Sequence, residues 1–162
     1  MKNTHDNSAP AGYHTLTPSL TVKDGKAALD FYQRALGATV VNSMEGPDGG
    51  LMHAEMTVGD SRFMLGDEMP AWGMLSPLSL GNSPVGLHLY VADVDAAYAQ
   101  AIREGAKSLG EPTTEFWGDR MGRFVDPFGH KWTVATRVEE VSDEETQRRG
   151  EQWMKENSVG QA

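Results

Sequence analysis

The spacing of hydrophobic residues changes several times along the chain, and each change marks an element. In LTVKDGKAALDFYQRALG (20–37), a short alternation at Leu20 and Val22 gives way to Ala28, Leu29, Tyr32, Ala35 and Leu36 at helical spacing. Asp24 is placed to cap that helix and Gly37 to end it. The switch recurs in LYVADVDAAYAQAIREGA (89–106), with Val94, Ala97, Tyr98, Ala101 and Ile102 on the helix and Gly105 after it. Leu20/Leu89, Val22/Val91, Asp24/Asp93, Ala27/Ala96, Ala28/Ala97 and Arg34/Arg103 coincide at an offset of 69 residues. Strand-like runs follow the first helix: ATVVNSME (38–45), then LMHAEMTV (51–58) and SRFMLGD (61–67) joined by the hairpin dipeptide Gly59-Asp60. After Gly105 the pattern predicts a Gly-Pro loop, a short strand over Arg120–Val125, a turn at Asp126-Pro127-Phe128-Gly129 and a last strand from Lys131 to Arg137.

The expectation is an α+β fold of two βαβββ units, 13–67 and 85–137, after a flexible tail at 1–12. Between the units, 69–84 is rich in Met, Pro, Gly and Ser and has two readings, a cover over a pocket and an ordinary exposed connection. Ser142 and Glu145 form a capping box for a polar helix to about Lys155, so 138–162 reads as a helical appendage.

Composition narrows the chemistry. With 23 acidic against 14 basic residues in 162, a net charge of -9, nucleic acid would be repelled except near spots such as Arg120 and Arg123. The chain has no cysteine, which leaves His, Asp, Glu and backbone to carry any reaction. The polar start and the lack of a long apolar run point away from a signal peptide and a membrane partner, toward a cytoplasmic protein.

The doubled βαβββ plan, the LxVxDxxxALxFY opening and the closing DPFGHKW turn-and-strand resemble the vicinal oxygen chelate superfamily of glyoxalases, bleomycin-resistance proteins and extradiol dioxygenases. MHAEMTVGDSRFMLGDE and FWGDRMGRFVDPFGHKW are similar to its PhnB-like branch. The resemblance covers about 13–137. It implies a curved mixed sheet around a cavity, a small-molecule ligand, a homodimer and either metal-assisted isomerase, lyase or dioxygenase chemistry or plain binding of an aromatic or cationic drug-like compound. The superfamily's four metal-ligand slots, on the first and last strand of each unit, fall here on Thr17, Met64, Gly86 and Thr133. A glycine, a thioether and two hydroxyls form a poor donor set for a divalent ion.

Strand periodicity offers other inward-facing groups. If Val58 pairs with Ser61, Glu55 lies opposite Met64 with His53 on the same face, and His88 and Tyr90 share a face with Gly86. His53, Glu55 and His88 suit zinc, nickel, manganese or iron(II), and equally suit a hydrogen-bonded polar pocket without metal. Glu55 is the best-placed general base. Thr17, Met64 and Thr133 complete the candidate lining. Trp117 and Arg120 on the FWGDRMG loop are candidates for stacking on a ligand and holding its carboxylate or phosphate, and an Asp119–Arg120 pair that steadies the loop is the alternative. With Trp72 and Tyr90, Trp117 forms the aromatic inventory of the binding reading. Trp132 reads as core and His130 as serving the turn. His14 and the tail residue His5 receive no role.

Overall fold

The computed structural model describes residues 9–157; His5 lies outside them. Within these residues the chain divides into two units, 9–84 with 127–130 and 85–126 with 131–157.

The first unit runs β1 (Ser19–Val22), α1 (Gly25–Leu36), β2 (Thr39–Glu45), β3 (Leu51–Val58) and β4 (Ser61–Asp67). Its sheet has the order β1-β4-β3-β2, with β1 parallel to β4 and the other pairs antiparallel. Asp24 caps α1 by accepting from the Ala27 amide at 3.0 Å, and Gly37 ends it in the left-handed conformation. The buried stripe of α1, Ala28, Phe31, Tyr32 and Ala35, belongs to the same core as Leu20, Ala54, Met56, Phe63 and Leu65. Phe128 joins this core, its ring centroid 5.9 Å from that of Phe31 and 6.0 Å from that of Tyr32.

The second unit repeats the plan: β5 (Gly86–Tyr90), α3 (Val94–Arg103), β6 (Lys107–Thr114), β7 (Asp119–Val125) and β8 (Lys131–Arg137), in the order β5-β8-β7-β6. Asp93 caps α3 through the Ala96 amide at 3.0 Å, and Val94, Tyr98 and Ala101 are its buried positions. The expected Gly-Pro loop is strand β6. Pro112 is accommodated because β6 is an edge strand whose pairing with β7 skips between Gly110 and Thr113, so no ladder bond from residue 112 is needed.

The connection 69–84 folds onto the first unit. It contains a 3₁₀ turn (Pro70–Trp72) and the short helix α2 (Pro77–Leu80). Glu68 accepts from the Ser76 amide at 3.0 Å and the Ser79 hydroxyl at 2.8 Å, which lowers its carboxyl pKa through the Ser76 backbone bond first. Ser76 and Pro77 are buried while Trp72 stays exposed. Helix α4 (Asp143–Asn157) starts with the Glu145 amide donating to Ser142 Oγ at 3.2 Å. It is pinned to the second unit by Arg149, which grips Glu139 at 2.8 and 2.9 Å, and by Gly150 against Phe116. No described helix is long and apolar enough to cross a membrane.

Candidate functional site

Each sheet has one face occupied by buried apolar residues and a second face that carries polar ones. The hairpin register in the first unit is the expected one, Val58 opposite Ser61 and Glu55 opposite Met64, so Ser19, Met64, Glu55 and Asn42 form a row on the polar face. His53 follows two residues from Glu55, and its Nε2 lies 3.7 Å from Glu55 Oε1. Arg62 Nη1 stands 3.6 Å from Glu55 Oε2, and the guanidinium also sits 4.7 Å from the ring centroid of Tyr13. Thr17 precedes β1 and donates to the His14 carbonyl at 3.2 Å.

Sequence reasoning missed Tyr13 and Arg62. The Tyr13 hydroxyl is shut off from solvent with no atom in hydrogen-bonding geometry to it, and it lies near Glu55. The Glu55 carboxylate is the main influence raising the tyrosine's pKa, and burial adds to it. Reciprocally, the Tyr13 hydroxyl is the main influence lowering the pKa of Glu55; partial burial opposes it, and His53 and Arg62 reinforce it. Glu55 is therefore a carboxylate at neutral pH. Tyr13 was hidden because it precedes the first regular element, and Arg62 because attention to β4 followed the metal slot at Met64.

In the second unit His88, Thr133, Arg123 and Gly110 form one row, and Tyr90, Ala135 and Met121 the next. The rings of His88 and Tyr90 are 4.8 Å apart. Tyr90 Oη donates to Asp119 Oδ2 at 3.1 Å, Trp117 Nε1 to the same oxygen at 3.2 Å, and Arg137 Nε to Oδ1 at 2.5 Å. Burial favours a raised pKa at Asp119, yet these donors outweigh it and the carboxyl titrates below its ordinary value. Trp117 is thus drawn into a structural network. Arg120 pairs with Asp95, at 2.7 and 2.8 Å, so the alternative Asp119–Arg120 pair is corrected: the two alternate in β7, and Asp119 takes Arg137 instead. Trp132 is buried, with Nε1 donating to Asp126 at 2.9 Å, and His130 is buried with Nε2 3.1 Å from the Thr21 carbonyl oxygen.

Among the described residues no metal donor set is assembled. His53 and Glu55 supply two donors in the first unit, His88 belongs to the second unit, and among the described residues no three His, Asp or Glu side chains are grouped to hold an ion. A cleft of about 310 Å³ near Asp48, Asp67 and Glu68 holds carboxylates already spent on structure. Asp67 takes the Gly25 and Leu51 amides at 2.6 and 2.7 Å, and Asp48 takes the Gly50 amide at 3.1 Å.

This doubled architecture is matched by relatives. The sequence profile of the Glyoxalase/Bleomycin resistance protein/Dioxygenase superfamily fits residues 13–134, and the chain belongs to that superfamily. An uncharacterised Mycobacterium bovis protein, Mb0911c, is 40% identical over 135 residues, 82% of this chain and 89% of its own. Among solved structures, TioX from Micromonospora sp. ML1 (21% identity, TM-score 0.60, 76% of this chain and 98% of its own) shares the fold. So does a PhnB protein from Bacillus cereus (16%, TM-score 0.59, 76% and 99%).

Proposed function

We propose that this protein binds a small organic molecule on the polar face of its first sheet, with Glu55 as the anionic anchor. The observation that carries this reading is an ionised Glu55 on the polar face with the buried Tyr13 hydroxyl beside it and His53 and Arg62 flanking the carboxylate. The lowered pKa of Glu55 favours binding over proton abstraction. A general base works best with a pKa near the working pH, so a depressed carboxyl accepts hydrogen bonds well and removes protons poorly. Glu55 therefore suits an amine or hydroxyl of an aromatic or cationic ligand. His53 beside Glu55 favours a second reading, acid–base catalysis by this pair, whereas among the described residues no donor set is grouped for a metal-assisted route.

Equilibrium titration with benzylamine and its neutral counterpart benzyl alcohol tests the proposal. Wild-type protein should prefer the amine, and Glu55→Gln should erase that preference. Equal affinity for both probes in wild type would overturn it. Association as a homodimer in a cytoplasmic setting belongs to the same proposal, since β2 and β6 are edge strands that a partner could cover; light scattering at micromolar concentration checks the dimer.

A further inference from the structure

We infer that the polar face of the second sheet is a binding surface for a small anion, a carboxylate or phosphate ester with a planar body. The inference is independent of the role given to Glu55.

The chain has eight arginines, all within the described residues. Seven are engaged: Arg34 with Asp30, Arg62 with Glu55, Arg103 with Gln100, Arg120 with Asp95, Arg137 with Asp119, Arg148 with Glu145 and Arg149 with Glu139. Arg123 is the exception among the described residues, and it is exposed.

Its neighbours have the same sign. Lys131 is diagonal to Arg123 across β7 and β8, a spacing of roughly 7–8 Å for such positions. Lys107 shares the row of Val125 and Lys131. Asp119, which shares this face at the start of β7 in the row of Arg137, is already taken by Arg137, Tyr90 and Trp117. Glu111 sits in the β6 irregularity without an ion pair to Arg123 among the described residues.

The surface also has room and an aromatic face. The Arg123 side chain lies over Gly110 on the edge strand, where an added Cβ would meet Nε and Nη2 at an ordinary contact distance of 3.6 Å. Gly86, in the row of Lys131, has nothing within 4 Å where a side chain would begin. His88 and Tyr90 are both exposed, and Tyr90 is fixed by its bond to Asp119, so its ring, inclined at 52° to that of His88, is a held face for a planar ligand. A guanidinium fork, an ammonium and an aromatic pair fit an anionic head on a planar body by charge and shape.

Calorimetric titration with phenyl phosphate at low salt, with amide chemical shifts followed by NMR, tests this. Binding should perturb amides at 86–90, 123–125 and 131–133 and weaken with salt. Arg123→Gln should weaken it about tenfold or more, and Lys131→Gln severalfold, each with an unchanged urea midpoint. Lys23→Gln removes the same charge in the first unit and should leave binding unchanged. The inference is overturned by absence of phenyl phosphate binding, by undiminished binding in Arg123→Gln, or by an equal loss in Lys23→Gln. Shifts at the same amides that appear on raising protein concentration without ligand would assign the face to a second copy and also overturn it. Glu55→Gln should keep phenyl phosphate affinity, so failure of this surface and failure of the Glu55 proposal read out separately.

Discussion

The two units share a backbone plan and differ in what they place on it. In the first, the polar face holds a carboxylate, Glu55, with a buried tyrosine hydroxyl and an arginine beside it. In the second, the equivalent rows hold His88, Thr133 and Arg123, and the carboxylate Asp119 has moved to the strand end, where it is buried and saturated with donors. Repetition of βαβββ fixes which positions share a face, because strand pairing and pleat alternation are backbone properties. It leaves the chemistry at each position free, so two halves of one fold present groups of opposite charge at equivalent positions.

The sharpest way to break the comparison is at a turn. Gly118 (φ 96°) lies in the second unit where an added Cβ would stand 2.2 Å from the Glu139 carbonyl oxygen. Gly59 (φ 57°), in the first unit's hairpin, has nothing within 4 Å. Both require the left-handed region, but only one is also blocked by backbone. Gly118→Ala should destabilise by more than about 3 kcal/mol and Gly59→Ala by about 1 kcal/mol in urea unfolding. Similar losses would mean the tie between the 118 turn and the 138–139 segment is dispensable.

The two carboxylates come next in size. Asp119→Asn strips the charge from a buried acceptor and frees Arg137, so stability at pH 7 should fall on the order of 2 kcal/mol. Glu55→Gln should cost visibly less, since Glu55 is more exposed and its ion pairs are long. Acid unfolding checks the origin of the difference. The folded pKa of Asp119 lies below its unfolded value of about 3.9, so its contribution is complete above that value and disappears as pH falls through the folded pKa. The gap between wild type and Asp119→Asn should therefore close below about pH 4. A gap that persists in acid would locate the effect in packing.

How much of this was legible varies with the kind of interaction. Both helices, their Asp caps and the Gly59-Asp60 register followed from local rules, since caps and two-residue hairpins are set within a few residues. Strand β6 was misread because Gly110 and Pro112 signal a loop unless the strand is known to lie at an edge. The partners of Asp119 and Arg120 come from 18 and 25 residues away, and nothing local distinguishes them from a pair of sequence neighbours. Tyr13 reaches Arg62 across an irregular segment with no periodicity to betray it.

The smallest effect concerns α4, which has no counterpart in the first unit. Its polar sequence gives little apolar area to hold it, so docking rests on Arg149 and on Phe116 against Gly150 and Trp153. Glu145 accepts from Arg148 first and Arg149 second, which pulls its pKa down to about 2. A depressed carboxyl stabilises the folded form above its unfolded value and loses that contribution as pH falls through the folded one. Between about pH 4 and pH 2 the helix should loosen while the sheets persist, because an exposed clamp carries little free energy next to a packed core. Trp153, half exposed and 6.2 Å from Phe116, reports on this step. Its fluorescence should change at lower pH than in Glu145→Gln, where the clamp is weakened from the start. Coincidence of that change with global unfolding would show that α4 is integral to its unit.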